Sequence, residues 1–261
     1  MAQQPIRFED GGAYERAMGV WSQIAGQVFL DWLAPAQGLR WVDVGCGNGA
    51  FTELLMQGYA PMEAQGVDPS DGQIAYARTR AAARGASFQL GDAMALPFDA
   101  DRFDAATMAL VIFFVPEPAR GVAEMARVVR PGGTVAAYAW DMEGGGFPFA
   151  PIQAELRAMG ITPTLPPSAD ASRVEVMREL WAGAGLEAIE TRAISVQRSF
   201  TDFEDFWSAS TGLGMKPMLA SWAPADVEQL KDRVRARIGV EGNGPVVRQA
   251  RANAIKGRVP K

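Results

Sequence analysis

Apolar positions along this chain fall into two periods that alternate. From Tyr14 to Leu33, Met18, Trp21, Ile24, Ala25, Val28, Phe29 and Trp32 recur at helical spacing, and Pro35 and Gly38 end the segment. The continuous apolar run Leu39–Val44 reads as a buried strand, followed by a glycine turn and a helix from about Ala50 to Met56. Ala64–Asp68 is a second strand, and Pro69-Ser70-Asp71 supplies a turn and an N-cap for an Ala- and Arg-rich helix reaching about Ala83. Strands over Ser87–Leu90, Phe103–Met108 and Thr134–Trp140 follow, with a helix from about Glu117 to Val129 stopped by Pro131-Gly132-Gly133.

Strand and helix alternating in this way, with strands apolar on both faces, imply a parallel sheet covered by helices. Right-handed crossovers then bring the strand C-terminal ends to one edge, with Gly45–Gly49, Asp68, Asp92 and Asp141 in its loops. Beyond Trp140 the pattern changes. Residues 141–167 are rich in Gly and Pro with one helical stretch, Ile152–Met159, and a helix over Ser172–Ala184 leads into a sixth strand at Ile189–Val196. Residues 200–240 are helical again, in an aromatic piece (Phe200–Ser208) and a charged one (Pro224–Ile238), and Val246–Val259 reads as a last strand.

The stretch around which the rest is arranged is Val42-Asp-Val-Gly-Cys-Gly-Asn-Gly49. Glycines at alternate positions let the backbone turn sharply and keep side chains away from a ligand. Gly45-x-Gly47-x-x-Ala50, with Asp68 about 20 residues on, fits a dinucleotide fingerprint. That pattern serves NAD(P)-dependent oxidoreductases and S-adenosylmethionine enzymes alike, since both need a flat turn and a carboxylate for two ribose hydroxyls. The residues that distinguish the two are Gly66-Val-Asp-Pro-Ser70, Gly91-Asp-Ala93 with Leu96-Pro-Phe98, Phe103-Asp104 and Arg127-Val-Val-Arg-Pro-Gly-Gly133.

In this order and spacing, residues 14–140 resemble the class I S-adenosylmethionine-dependent methyltransferases, in the small-molecule (type 11) group with the ubiquinone/menaquinone-type enzymes. The resemblance implies an α/β fold: a Rossmann-like doubly wound, mostly parallel seven-stranded sheet with an antiparallel last strand and a helical lid insertion. Its parts would be N-terminal lid helices over 1–38 and a cofactor-binding core over 39–199 with a loop insertion at 141–170. A helical substrate lid over 200–240 and the final core strand over 241–261 complete it.

The resemblance also implies roles. Gly45 and Gly47 would face the methionine part of S-adenosyl-L-methionine, with Asp43 near its ammonium or holding a water, and Asp68 beside Pro69 would take the ribose. Asp92 and Ala93 would address the adenine, backbone near Met108 or Ala109 would accept from the ammonium, and Tyr14 and Trp21 would close over the methionine end. Asp141 is the candidate base. Phe113 and Phe114 stand where many relatives carry histidine and suggest an apolar wall, while Phe147, Phe149, Phe200, Phe203, Phe206, Trp207 and Trp222 could line the acceptor pocket.

Composition narrows the chemistry. The chain has 261 residues, no histidine and one cysteine, Cys46. Ser-His-Asp and Cys-His catalysis, histidine metal sites and an internal disulfide are therefore excluded. A net charge of −5 argues against a general nucleic-acid binder, and no apolar run approaches a membrane span. The first residues lack signal-peptide features, so a cytoplasmic protein is expected, with residues 1–12 loosely attached. Charge is uneven: Lys231 to Lys261 holds nine Lys or Arg against two Asp or Glu, which is either a solvated face or a patch for an anionic ligand or partner.

The expectation is a methyltransferase acting on a small apolar or aromatic acceptor, with no metal and with a homodimer left open. Two alternatives stay open: a non-catalytic adenosyl-ligand-binding protein, and an NAD(P)-dependent oxidoreductase.

Overall fold

A computed structural model describes residues 15–80, 83–212 and 215–261. Tyr14 and the segment 1–12 lie outside them. A π-helical turn, Glu15–Gly19, leads into helix α1 (Val20–Leu33). Then follow β1 (Arg40–Val44), α2 (Ala50–Tyr59), β2 (Glu63–Asp68), α3 (Asp71–Ala77), β3 (Ser87–Leu90), β4 (Phe103–Ala109), α4 (Pro118–Val128) and β5 (Val129–Trp140). The rest is α5 (Ala150–Ala158), α6 (Val174–Gly183), β6 (Glu187–Phe200), α7 (Phe203–Thr211), α8 (Lys216–Ala220), α9 (Pro224–Arg237) and β7 (Val246–Arg258).

The strands form one sheet in the order β3-β2-β1-β4-β5-β7-β6. The first five pair in parallel, and β7 runs antiparallel between β5 and β6. This is the doubly wound, mostly parallel sheet with an antiparallel last strand that the resemblance implied. The order reverses between β1 and β4, and the crevice outside such a switch point is where open α/β sheets bind ligands.

One face of the sheet is closed by α1 and α2. Phe29 of α1 lies 4.7 Å from the Tyr138 ring and 5.9 Å from that of Phe51, ring to ring. Trp21 sits edge-on to Trp140 at 6.2 Å and is fully buried. The opposite face carries α6, whose buried Trp181 donates to the Val135 carbonyl at 3.0 Å. Gly257 on β7 accommodates that indole, since a Cβ there would meet Trp181 Cδ1 at 2.9 Å.

The sixth strand spans Glu187–Phe200 rather than Ile189–Val196, so Phe200 lies in the sheet and the aromatic helix starts at Phe203. Two other boundaries differ from expectation for reasons visible in the fold. The helix after Asp68 ends at Ala77 rather than near Ala83, because the chain turns at Thr79 and Arg80 and sends the Arg80 guanidinium to Glu15, Glu53 and the Asn48 carbonyl. The fifth strand begins at Val129, taking in Pro131-Gly132-Gly133, because Phe103 already pairs with Val129 and Gly132 N–H reaches the Val259 carbonyl at 2.9 Å. A Cβ at Gly133 would stand 2.7 Å from the Asp104 carbonyl oxygen, so the glycines admit β4 beside the strand instead of ending it.

The 200–240 helices sit on the sheet through their own aromatics, with Phe206 5.4 Å from Phe200. Helix α9 is tied to α5 by Glu155, a buried carboxylate that accepts from Arg233 (2.7 Å) and Arg237 (2.5 Å). Among the described residues no helix is long and apolar enough to cross a membrane.

Candidate functional site

A cleft of about 290 Å³ opens at the carboxyl edge of β1, β2 and β4, at the switch point. Its floor is the glycine turn. Gly45, Gly47 and Gly49 all have left-handed backbone, at φ +73°, +51° and +81°. A Cβ at Gly45 would press on Val111 at 2.5 Å, so this glycine lets the loop after β4 close against the turn. At Gly47 a Cβ would meet nothing nearer than Gln73 Oε1 at 3.9 Å, which leaves its backbone open to the cleft.

Asp68 ends β2 beside this turn. Its Oδ2 accepts from the Gly47 N–H and its Oδ1 from the Ser70 N–H, both at 2.9 Å. Each oxygen keeps a lone pair, so the carboxylate is held in a fixed orientation while still able to accept two further donors. Ser70 caps α3 by accepting from the Gln73 N–H at 3.3 Å, which fixes the loop that carries Asp68. Burial raises the Asp68 carboxyl from its ordinary value against these backbone hydrogen bonds.

Asp43, the next-to-last residue of β1, is fully buried below the turn. Its Oδ2 accepts from Thr52 Oγ1 at 2.6 Å, and its Oδ1 has no partner among the described residues. Burial pushes the carboxyl up to about 7, with the Asp68 charge adding to the rise and the Thr52 hydroxyl opposing it. A buried acceptor oxygen without a donor is costly, and it fits a site whose ligand brings a donor or a positive charge.

Asp92 and Ala93, after β3, form a second wall, with Asp92 Oδ1 accepting from the Met94 N–H at 2.8 Å. The far wall is apolar and is supplied by the loop after β4, including Val111, Phe114, Val115 and Pro116. Leu110 starts that loop at φ +64°, a conformation costly for a branched side chain, held by its N–H on the Tyr138 carbonyl at 2.8 Å. The Cys46 thiol lines the turn, but burial drives its pKa upward and it stays protonated.

The structure brings together Asp43, Gly45, Gly47, Asp68, Pro69, Asp92, Ala93 and Ala109 around this cleft. Three other candidates lie elsewhere. Met108 is buried with its side chain toward Gly121, beside Ala109, which does line the cleft. Trp21 is packed between Trp140 and Phe200, and its neighbour Ser22 is the residue of α1 that faces the cleft.

Asp141 requires a correction. It follows β5 as expected, but that strand lies beside β7, and Arg251 of β7 pairs with its Oδ2 while the Gly144 N–H donates to Oδ1 at 2.9 Å. Asp141 lines a separate depression with Arg173, Glu175 and Asn253, away from the glycine turn. The lid aromatics are likewise not cleft residues: Phe149, Phe200, Phe203 and Phe206 are buried in the core, and Phe147, Trp207 and Trp222 pack against it. Of Phe113 and Phe114, only Phe114 lines the cleft.

Sequence reasoning missed Ser22, Gln73, Leu110 and Tyr138. The position of Gln73 in the first turn of α3 was a usable signal. Tyr138 lies inside an apolar strand, and nothing in the pattern marks it.

Residues 42–137 match the family described as "Methyltransferase domain". The chain is 38% identical over 113 residues to the ubiquinone/menaquinone biosynthesis C-methyltransferase of Roseobacter denitrificans, covering 41% of this chain and 44% of that one. It is 40% identical over 95 residues to 2-methyl-6-phytyl-1,4-hydroquinone methyltransferase 2 of Oryza sativa subsp. japonica, covering 36% and 27%. Both alignments span less than half of the relative's length. Among solved structures, phosphoethanolamine N-methyltransferase 2 of Haemonchus contortus in complex with S-adenosyl-L-methionine superposes with a TM-score of 0.59 at 16% identity, covering 96% of this chain and 57% of that one.

Proposed function

We propose that this chain, which carries a class I methyltransferase domain over residues 42–137, binds S-adenosyl-L-methionine in the cleft and directs its methyl group to a small acceptor. The observation that carries the reading is Asp68, held by the Gly47 and Ser70 N–H groups with two acceptor positions free beside an open glycine turn. A vicinal pair of ribose hydroxyls matches that carboxylate in a charge-assisted bidentate contact. The unpartnered Asp43 Oδ1 and the open backbone at Gly47 complete the fit: one would offset an ammonium charge, the other would let a chain lie flat on the turn. Asp92 and Ala93 would address the base.

When bound, the cofactor supplies a methyl group already activated on a sulfonium. What remains for the protein is to align the acceptor with that methyl and to exclude water, which is worth about 7–11 kcal/mol. The apolar wall of Val111, Phe114, Val115 and Pro116 supports an acceptor that is apolar or aromatic where it lies against the cleft, as do two methyltransferase relatives, one named for ubiquinone/menaquinone biosynthesis and one for a phytyl hydroquinone. The cleft presents no histidine, and Asp141 is engaged by Arg251, so neither serves as base for an acceptor proton.

Isothermal titration should show S-adenosylmethionine and S-adenosylhomocysteine binding with NAD(P) inert. Asp68→Ala should weaken the adenosyl ligands at least about 100-fold, the lower end of what two charge-assisted hydrogen bonds contribute. Binding of NAD(P) alone would overturn the reading.

A further inference from the structure

The β6–β7 pair runs on past the end of β5. Strand β5 stops at Trp140, opposite Ala252, whereas β7 begins six residues earlier at Val246, opposite Phe200. At about 3.4 Å per residue the two strands overhang by roughly 20 Å at the carboxyl edge, where the cleft opens. One face of this overhang is apolar and buried, with Val196, Phe200, Val246 and Ala250. In the middle of that face Arg198 and Arg248 stand directly opposite each other.

Facing residues of an antiparallel pair have Cβ atoms about 5 Å apart, and like charges so placed repel. Both arginines are half-buried, and burial lowers each guanidinium pKa from its ordinary value. Arg198 donates from Nη1 to the Ala17 carbonyl at 3.2 Å and lies over the Phe200 ring at 4.4 Å. The carboxylate that acts on it from a distance is Asp205, whose Oδ2 accepts from the Thr201 N–H and hydroxyl. Arg248 Nε is buried with no acceptor among the described residues. Other cations of the basic C-terminal segment contrast with this pair. Lys231 and Arg235 meet Glu204, Arg233 and Arg237 meet Glu155, Arg251 meets Asp141, and Lys256 meets Glu190.

Two arginines paired in register on one strand face, partly desolvated and with a buried N–H unfilled, form an arrangement that an anion completes. Planar guanidinium forks suit a carboxylate or a phosphate, which would supply Arg248 Nε with its acceptor. The pair also lies under the same cover as the cleft. Within the turn Glu15–Gly19, the Glu15 carboxylate accepts from Asn48 Nδ2 of the glycine turn at 2.7 Å, and two residues later the Ala17 carbonyl accepts from Arg198. Next along the chain, Trp21 packs on Phe200 and Ser22 lines the cleft.

We propose that Arg198 and Arg248 form an anion-binding site that holds a carboxylate or phosphate group of the methyl acceptor. The ligand's identity as acceptor rests on the methyl-transfer reading, whereas its charge rests on the arginine pair alone. The acceptor then has an apolar or aromatic part in the cleft and an acidic end on the overhang.

The full chain is titrated calorimetrically, at constant ionic strength, with inorganic phosphate, with acetate and separately with S-adenosylmethionine. Saturable binding of phosphate or acetate is expected, and the probe that binds tells which acidic group the site takes. Arg248→Gln should weaken that probe at least tenfold while cofactor affinity holds, which also shows that the variant is folded. Arg248→Lys should recover only part of the loss, and Arg198→Gln provides the same comparison if Arg248→Gln does not fold. Absence of saturable binding of both anions, or equal binding by wild type and both Gln variants, overturns the site. Cofactor binding without anion binding leaves the methyl-transfer reading standing, and anion binding lost in Arg248→Gln without any cofactor binding overturns the acceptor assignment instead.

Discussion

Asp43 shows how a single buried carboxylate links stability to ligand binding. Its carboxyl is pushed up to about 7, chiefly by burial, from an ordinary value of 3.8. Between about pH 4 and pH 7 the folded chain therefore holds a proton that the unfolded chain has released, so stability falls as pH rises across that window. The full span is on the order of 4 kcal/mol. Asp68, raised in the same direction, adds to the slope. Asp43→Asn should flatten the decline in urea-unfolding free energy between pH 5 and pH 8 without abolishing it; an unchanged slope would show that Asp43 ionises normally. Ligand binding runs the other way. An ammonium placed by Asp43 favours the ionised form, so cofactor affinity should rise with pH through 7 in the wild type, and that rise should be smaller in Asp43→Asn.

At the scale of elements, two helices end on residues poorly suited to the geometry they adopt. Helices α1 and α2 are followed by Ala34 and Ala60, both in left-handed conformation at φ 46° and 40°, where glycine is favoured. Both alanines are exposed, so their side chains bury nothing that glycine would lose. Ala34→Gly and Ala60→Gly should each stabilise the fold by about 1 kcal/mol, the ordinary cost of a left-handed non-glycine residue. Thermal and urea midpoints would rise, and a fall at both positions would contradict the geometry. The apolar periodicity located α1, α2, β1, β2 and β3 to within a few residues, because each pattern is local. The early end of α3 and the early start of β5 were hidden, since one depends on Arg80 meeting Glu15 across the fold and the other on β4 and the chain near Val259 pairing with a Pro-Gly-Gly run.

Over the whole molecule, β7 decides the fate of Asp141. The insertion of an antiparallel strand beside β5 puts Arg251 next to that carboxylate, and the Asp141 N–H also donates to the Arg251 carbonyl at 3.0 Å. The same strand carries Arg248 to the overhang. Asp141→Asn should cost about 1 kcal/mol of stability, as expected for one part-exposed ion pair, with cofactor affinity unchanged. Calorimetry and urea unfolding read the two effects separately, and a stable variant with weakened cofactor binding would return Asp141 to the cleft.

The amino-acid order by itself determined the α/β alternation, the glycine turn and the acids Asp43, Asp68 and Asp92 at strand ends. It could do so because strand ends, turns and caps are written in short stretches whose chemistry does not depend on distant partners. Tertiary structure alone decided which residues face the cleft and which only pack: Tyr138 and Leu110 enter it, whereas Trp21, Asp141 and the lid aromatics do not. It also set Arg198 against Arg248, residues fifty apart in the chain and one strand apart in the sheet. Such pairings follow from register and strand order, which arise only when the whole sheet closes on its helices.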